Sequence, residues 1–257
     1  MSTITKSNSI HFDAAKKTLY NLLNSQVFHY PFPHWYIKDI FSYDFFLKIR
    51  AHLPEKKNYK NIIKDEIVPY SKITANEAYR YIFYVSKKNL NKIDEEKSIF
   101  WNKFIEEFSN VFFLNSILNF IQPHLEPDFY KALIKKPLMP SWQLFKDYSN
   151  YSILPHTDIQ EKVFSLLFYL PSSDQTPQHG TDLYLPKIES FLKKPSLKDK
   201  YKTDSRIELK YFHKLKTLPY IPNSAFGFIR SNYSFHGVEP LKEKNTERDI
   251  LCLTLIS

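Results

Sequence analysis

The second half of the chain, residues 138–257, consists of short apolar segments separated by turn residues, and this rhythm constrains the fold more than any other feature. The segments read WQLFKDY, YSILPH, VFSLLFYL, TDLYLPK, RIELKYFHKLK, AFGFIR and ILCLTLIS. They have the composition of β-strands, and a series of such strands joined by turns is typical of a two-sheet antiparallel barrel or jelly roll. We therefore predict this architecture for residues 138–257.

The first half, residues 1–137, instead shows apolar residues at the three- and four-residue spacing of amphipathic helices. Helices are predicted over residues 13–25, over 43–53 after Ser42, and from Asp94 to Pro123, with short strands at 34–41 and 80–86. The aromatic stripe of the third helical region is interpreted as a core face; it comprises Phe100, Trp101, Phe104 and Phe108. We predict one α+β domain over residues 1–257, in which residues 1–137 form mainly helical support for a jelly-roll core at 138–257.

His156 and Asp158 stand two residues apart at the start of the apolar run LPHTDIQEKVFSLLFYLP. In an extended strand, residues i and i+2 point to the same side of the backbone, so this imidazole and this carboxylate can converge on one ion. In a helix, the same two side chains would point about 200° apart. Far downstream, the segment IRSNYSFHGVEP supplies His236, and Arg248 precedes the last apolar segment.

Two histidines and one carboxylate on one face of an ion leave the other coordination positions open, which suits a non-haem Fe(II) that activates oxygen. The predicted metal ligands, which are also the predicted catalytic residues, are His156, Asp158 and His236. Three other residues are possible metal ligands but lack a paired arrangement like that of His156 and Asp158: His179, Asp182 and His213. A zinc hydrolase can use the same kind of ligand set with a bound water. Against it stand the absence of an HExxH motif and the presence of Arg248, which hydrolysis does not require.

With these residues in this order, the sequence resembles the 2-oxoglutarate-dependent Fe(II) oxygenases. The resemblance rests on His-Thr-Asp at 156–158, FSLLFYLP behind it, GTDLY at 180–184, SFHGV at 234–238, and Arg248. It covers roughly residues 140–257, and the segment PFPHWYIKDIF is similar to the entry region of some bacterial members. The resemblance implies a double-stranded β-helix of the jelly-roll, cupin-like kind and a dioxygenase that uses Fe(II), 2-oxoglutarate and O2 and releases succinate and CO2.

The resemblance also implies how 2-oxoglutarate binds, with its keto oxygen and adjacent carboxylate on two of the open metal positions. Its far carboxylate needs a cation in a rigid, partly buried place, and an arginine can meet it with two parallel hydrogen bonds. Arg248 fits this role, and further candidates for contact with 2-oxoglutarate are Tyr148, Tyr169 and Thr254. Some branches of the family place Ser or Thr two residues after the arginine. Here that position is Ile250, so a hydroxyl partner must come from elsewhere.

The intact Asp158 narrows the reaction, because related halogenases replace this carboxylate with a small residue. It favours hydroxylation, desaturation or another oxidative outcome over halogenation. We expect hydroxylation of a C–H bond in a small-molecule or peptide-derived substrate. The alternatives are an oxygenase that acts on a protein or a nucleic acid, and a non-catalytic jelly-roll binding module, against which the complete ligand set argues. The sequence makes no prediction of the oligomeric state.

The formal net charge of +9 and the pI of about 9.2 are compatible with a nucleic-acid partner. The excess, however, comes from lysines scattered over the chain. Arginine, which reads phosphates and bases better, occurs only at positions 50, 80, 206, 230 and 248. We therefore do not expect nucleic-acid binding.

Cysteine usage and hydropathy indicate a cytoplasmic protein. Cys252 is the only cysteine, so no internal disulfide can form and a reducing compartment is expected. No stretch approaches the roughly 18 apolar residues that cross a bilayer, and the N-terminus lacks the apolar region of a signal peptide.

Three further features lie near the motifs. Gly237 directly follows His236, and we expect it at a place where a Cβ would obstruct the backbone. Lys162 and Arg230 lie near the motif and are interpreted either as contacts for an anionic substrate or carboxylate or as exposed charges. The basic insertion at 187–216 is interpreted as a loop over the barrel mouth or as a solvated surface segment.

Overall fold

The computed structural model describes residues 2–65, 74–126, 138–173, 176–193 and 205–257. The helices are α1 (Ser2–Leu23), α2 (Tyr43–Ala51), α3 (Lys87–Leu90), α4 (Glu95–Phe108), α5 (Val111–Ile121) and α6 (Ile188–Lys193). The first strands are β1 (Val27–Phe28), β2 (His34–Ile37), β3 (Lys60–Asn61), β4 (Arg80–Tyr84), β5 (Met139–Tyr148) and β6 (Ile153–His156). The later strands are β7 (Lys162–Tyr169), β8 (Thr181–Pro186), β9 (Phe212–Leu218), β10 (Ser224–Ile229), β11 (His236–Val238) and β12 (Glu247–Ile256).

The strands form two sheets, and the paired strands are antiparallel. The large sheet has eight strands in the order β1-β2-β10-β7-β12-β5-β4-β3, and the small sheet has four in the order β6-β11-β8-β9. The prediction of helices combined with antiparallel sheets is therefore confirmed. The segment before residue 138 contributes more than helices, because β1 to β4 also belong to the large sheet.

Strand β12 shows how the large sheet uses its two faces. Leu251, Leu253 and Leu255 belong to the apolar core that the sheet shares with the helices. Because successive side chains of a strand alternate between faces, Arg248 and Ile250 point the other way. Ile250 packs there in a second apolar cluster that includes residues of the small sheet. The site described below lies between the two sheets.

The helices that cover the outer face of the large sheet begin at capping side chains. The Asp94 carboxylate accepts hydrogen bonds from the backbone N–H groups of Glu96 at 3.0 Å and Lys97 at 3.3 Å, and α4 follows. The Asn110 side chain accepts from the N–H of Phe113 at 2.8 Å, where α5 begins. The predicted core face of α4 is confirmed, since its buried residues are Phe100, Trp101, Phe104 and Phe108.

Of the basic insertion at 187–216, residues 194–204 lie outside the described residues. On either side of them, the structure contains α6 and the start of β9. Within the described parts of the chain, no helix combines the length and the apolar character that crossing a bilayer requires.

Candidate active site

His156, Asp158 and His236 converge between the sheets. One possible ligand atom from each lies within 4.8 Å of those of the other two, and all three residues are buried. They form the only group of this kind that the described residues contain. The two-residue spacing of His156 and Asp158 thus does bring both side chains to one point.

Strand pairing brings the third residue to this point. His236 of β11 lies directly opposite His156 of β6 in the small sheet, and the centroids of their rings are 4.4 Å apart. A Cβ on Gly237 would lie 2.6 Å from the carbonyl oxygen of Ile153. Only glycine therefore lets β11 approach β6 this closely, which confirms the expectation for Gly237.

Hydrogen bonds fix the orientation and the tautomer of the two imidazoles. Nδ1 of His156 lies 2.9 Å from the carbonyl oxygen of Leu154, and Nδ1 of His236 lies 3.0 Å from that of Ser234. Because a carbonyl can only accept, each Nδ1 must carry the proton, and each Nε2 keeps its lone pair. This is the tautomer that a metal ion requires of a histidine that binds through Nε2.

The carboxylate of Asp158 is fixed by two neighbours. Lys162 lies 2.9 Å from Oδ1 and the Ser165 hydroxyl donates to Oδ2 at 2.9 Å. Arg230 supports the same residue, since its Nε donates to the Asp158 backbone carbonyl at 3.1 Å. Lys162 and Arg230 therefore both contact Asp158.

The protonation states suit metal binding. Burial lowers the pKa of His156 well below its ordinary value, and burial likewise lowers the pKa of His236. Burial alone would raise the pKa of Asp158, but the charges around it, the Lys162 ammonium foremost, outweigh burial, so this pKa is lowered. Two neutral imidazoles and one carboxylate are the forms that bind a divalent cation.

The triad lines a cavity of about 410 Å³ between the sheets, and Arg248 lines it too. The Arg248 side chain is only 1% exposed. Its Nη1 donates to Oδ2 of Asp147 at 2.8 Å, and its guanidinium carbon lies 5.8 Å from the ring centroid of Tyr169 and 5.5 Å from that of Tyr220. The remaining nitrogens, Nε and Nη2, are buried without a hydrogen-bond partner among the described residues. Such buried donors are costly unless a ligand accepts from them.

Tyr169 is linked to the cavity by a hydrogen bond to Thr181. Its hydroxyl donates to Oγ1 of Thr181 at 2.7 Å, and Thr181 lines the cavity. Burial raises the pKa of Tyr169 to about 12, so this hydroxyl remains a donor at neutral pH. The Thr181 proton is then available to a ligand. Thr181 is a hydroxyl of the same cavity as Arg248 that sequence reasoning missed, because the two residues share a cavity only when β8 and β12 lie in opposing sheets.

Two other sequence candidates lie elsewhere. Tyr148 is on the opposite face of the large sheet, where its ring contacts Tyr81 and the Lys56 ammonium lies 4.1 Å from its centroid. Thr254 faces the interior, but it contacts Cys252 at 3.6 Å and is not among the cavity-lining residues. The structure therefore does not bring these two side chains to the cavity.

The rival ligands also have other contacts. His179 forms a hydrogen bond with Glu243, and Asp182 contacts Lys214 at 2.9 Å. His213 is exposed on β9. None of the three lies in the metal-ligand cluster.

Sequence reasoning missed a second arginine in the cavity and the acid that holds both arginines. Arg80 of β4 lines the cavity, and its Nε and Nη2 donate to Asp147 at 2.6 and 2.8 Å. Asp147 is fully buried between Arg80 and Arg248. The alternation of β5 predicts that Asp147 faces inward, but only the pairing of β5 with β4 and β12 reveals its partners.

Comparisons with known proteins give low similarity. No protein-family model matches the sequence, and no curated protein does. Among solved structures, an oxidoreductase of the 2OG-Fe(II) oxygenase family from Burkholderia pseudomallei is 9% identical with a TM-score of 0.45, over 84% of this chain and 79% of that chain. A prolyl-4-hydroxylase from Pseudomonas putida is 11% identical with a TM-score of 0.47, over 94% of this chain and 97% of that chain.

A third similar structure is HygX from Streptomyces hygroscopicus with nickel, 2-oxoglutarate and hygromycin B bound. It is 12% identical with a TM-score of 0.48, over 87% of this chain and 82% of that chain. All three TM-scores are below 0.5, so these similarities alone assign neither a fold nor an activity to this chain.

Proposed function

We propose that this protein is an Fe(II)- and 2-oxoglutarate-dependent dioxygenase that hydroxylates a C–H bond of a small-molecule or peptide-derived substrate and releases succinate and CO2. One observation carries the proposal: the His156, Asp158 and His236 cluster lines the same cavity as Arg248, which has two unpaired buried nitrogens. The cluster alone suits several metalloenzymes. The buried guanidinium adds a place for a carboxylate, which 2-oxoglutarate supplies and a hydrolytic mechanism does not need.

The strand order supports a double-stranded β-helix for residues 138–257. Along the chain, β5, β7, β10 and β12 enter the large sheet, and β6, β8, β9 and β11 form the small one. Apart from β8 and β9, which are consecutive and pair with each other in the small sheet, successive strands cross between the two antiparallel sheets, as in a jelly roll.

The residues present fit Fe(II), because two imidazole nitrogens and one carboxylate form a face-binding set with open positions. When bound, Fe(II) together with 2-oxoglutarate and O2 supplies the oxidising chemistry. The contribution of this chain is to hold the ligands. The Leu154 and Ser234 carbonyls fix the imidazoles, and Lys162 and Ser165 fix Asp158.

Arg248 would bind the far carboxylate of 2-oxoglutarate through Nε and Nη2. Thr181, held by Tyr169, would supply the hydroxyl that Ile250 cannot. Thr254 would act only indirectly, since it contacts Cys252. The apolar walls of the cavity include Ile153, Phe228 and Val238. They limit the access of water to the reacting groups.

The intact Asp158 supports hydroxylation over halogenation, because its carboxylate would occupy the coordination position that a halide needs. The reaction is therefore proposed as oxygen insertion into a substrate C–H bond. A cytoplasmic location is proposed on the basis of the single buried Cys252.

The test is anaerobic addition of Fe(II) and 2-oxoglutarate, followed by exposure to O2 in the presence of a metabolite extract. We expect a visible charge-transfer band before O2 is added and substrate-dependent formation of succinate afterwards. His156→Ala and Asp158→Ala should lose both signals. His213→Ala, which changes an exposed histidine outside the cluster, is the matched control and should keep them. A wild-type protein that binds neither Fe(II) nor 2-oxoglutarate would refute the proposal.

A further inference from the structure

The cavity contains a second guanidinium that binding of Fe(II) and 2-oxoglutarate does not use. We propose that Arg80 binds a carboxylate of the primary substrate, so that the substrate class is a small carboxylic acid. This inference rests on the function proposed above and extends it from the co-substrate to the substrate.

The contacts of Arg80 leave one nitrogen for a ligand. Its Nε and Nη2 are taken by the carboxylate of Asp147. The guanidinium carbon lies 4.4 Å from the ring centroid of Phe145 and 4.3 Å from that of Tyr151, so aromatic rings cover the group. Nη1 has no hydrogen-bond partner in the described parts of the chain. Arg80 lines the cavity, so we assign this remaining donor to a ligand.

Arg80 and Arg248 differ in depth. Both are held by Asp147, but the Arg248 side chain is 1% exposed and the Arg80 side chain is 15% exposed. A co-substrate that must bind first suits the deeper guanidinium. A molecule that arrives later suits the shallower one. Asp147 thus holds two guanidinium groups at different depths of the same cavity.

The charges of the residues that line the cavity also favour binding of a substrate carboxylate. Four cationic side chains, Arg80, Lys162, Arg206 and Arg248, line the cavity. The carboxylates that contact them include Glu77, Asp147 and Asp158. A divalent metal ion and a dicarboxylate co-substrate would cancel each other in charge, so these cationic side chains would still attract a substrate carboxylate.

The pair Arg206 and Glu77 makes this side of the cavity rigid. Arg206 Nε and Nη2 donate to the two carboxylate oxygens of Glu77 at 3.0 and 2.9 Å, and the Glu77 side chain is 2% exposed. Glu77 is thus committed to Arg206 and does not neutralise Arg80 by direct contact. The cavity of about 410 Å³ lies near the lower end of the range of ligand pockets, roughly 300–1,000 Å³. This size favours a small substrate.

The experiment compares carboxylic acids with their primary amides, which have nearly the same shape and no charge. The probes are the free L-amino acids and short aliphatic acids, each with its amide, and binding is measured by calorimetry on the anaerobic protein loaded with Fe(II) and 2-oxoglutarate. For the acids that bind, we expect an affinity at least tenfold above that of the amide, which is the range of a hydrogen bond to a charged group. No acid binding above its amide would overturn the proposal.

Two variants test the role of Arg80 itself. Arg80→Gln should abolish the preference for acids and change the 2-oxoglutarate affinity less than twofold. Arg80→Lys keeps a positive charge beside Asp147 and has N–H donors of its own, so it should retain part of the preference. A preference for acids that survives unchanged in Arg80→Gln would refute a direct contact. A loss of 2-oxoglutarate affinity in Arg80→Gln as large as in Arg248→Gln would place Arg80 in the co-substrate site and refute the proposal.

These results are separable from failure of the proposed function. The charge-transfer band of the wild-type protein reports whether Fe(II) and 2-oxoglutarate bind at all. The difference between acid and amide, measured with the band present, reports only on the substrate site. The same band in both Arg80 variants shows that they are folded.

Discussion

On the face of the large sheet that contacts the helices, Leu166 and Phe168 of β7 pack in the main apolar core. On the opposite face, Ser165 and Tyr169 of the same strand hydrogen-bond to Asp158 and Thr181. Strand β12 repeats the pattern, with Leu251 on the helix side and Arg248 on the cavity side. One set of strands therefore provides both an apolar face and a polar, charged face.

The difference shows how one sheet can keep charged groups buried. The helix face buries apolar surface, at about 25 cal/mol for each Å² removed from water. The cavity face contains Arg80, Asp147 and Arg248, whose burial is costly unless they are paired. The apolar face thus stabilises strands whose other face is arranged for binding. Substitutions on the two faces should have different consequences for stability and for ligand affinity.

Asp147→Ala should have the largest effect, because it leaves two buried guanidinium groups without their shared carboxylate. Burial opposes the charge of Arg80, and Asp147 is the main group that holds the Arg80 pKa above its ordinary value. We expect a loss of roughly 3–5 kcal/mol in the free energy of unfolding, together with a loss of 2-oxoglutarate affinity. Urea unfolding and calorimetry measure the two quantities. An unchanged stability would contradict the charge arrangement described for the cavity face.

Phe168→Ala tests the other face of the same large sheet, the one that contacts the helices. Phe168 is fully buried, and its ring lies 4.9 Å from that of Phe41 and 6.0 Å from that of Trp142. Removing the ring should cost about 3–5 kcal/mol of unfolding free energy through the cavity that it leaves. The folded variant should bind 2-oxoglutarate with nearly normal affinity. A selective loss of 2-oxoglutarate affinity with little loss of stability would show that the two faces are not separate in function.

Arg248→Ala should act mainly on the co-substrate. Asp147 keeps its two contacts with Arg80 in this variant, so the buried acid stays paired. We expect 2-oxoglutarate affinity to fall roughly 10- to 100-fold, the range for hydrogen bonds to a charged group, while Fe(II) affinity changes little. Separate titrations of Fe(II) and 2-oxoglutarate measure this. Equal 2-oxoglutarate affinity in mutant and wild type would remove Arg248 from the site.

Tyr148→Phe should have the smallest effect. The Tyr148 hydroxyl is buried without a partner among the described residues and lies on the face away from the cavity. Its removal should change the free energy of unfolding by less than about 0.5 kcal/mol or stabilise the protein slightly, and should leave 2-oxoglutarate affinity unchanged. A clear loss of 2-oxoglutarate affinity would mean that the register of β5 differs from the one described.

The sequence could predict features that depend on short-range patterns. The two-residue spacing of His156 and Asp158, the capping of α4 by Asp94 and the glycine after His236 all follow from local geometry. The ordered set of His156, Asp158, His236 and Arg248 also indicated a shared site, although the positions are far apart in the chain.

Features that depend on the register between distant strands could not be predicted. Arg248 lies opposite Asp147 in the pairing of β12 with β5, and Glu247 lies opposite Tyr148. This register turns Asp147 into the cavity and Tyr148 away from it, although the family resemblance had made Tyr148 a candidate. Arg80 joins Asp147 only because β4 pairs with β5. No local pattern in the sequence reveals these contacts.

The arrangement of the site is tested most directly by a crystal structure of the protein grown anaerobically with Mn(II), as a redox-stable substitute for Fe(II), and 2-oxoglutarate. We expect one anomalous peak bound by Nε2 of His156, Nε2 of His236 and a carboxylate oxygen of Asp158, with the far carboxylate of 2-oxoglutarate on Nε and Nη2 of Arg248. A metal ion bound elsewhere, or a 2-oxoglutarate that makes no contact with Arg248, would contradict this arrangement.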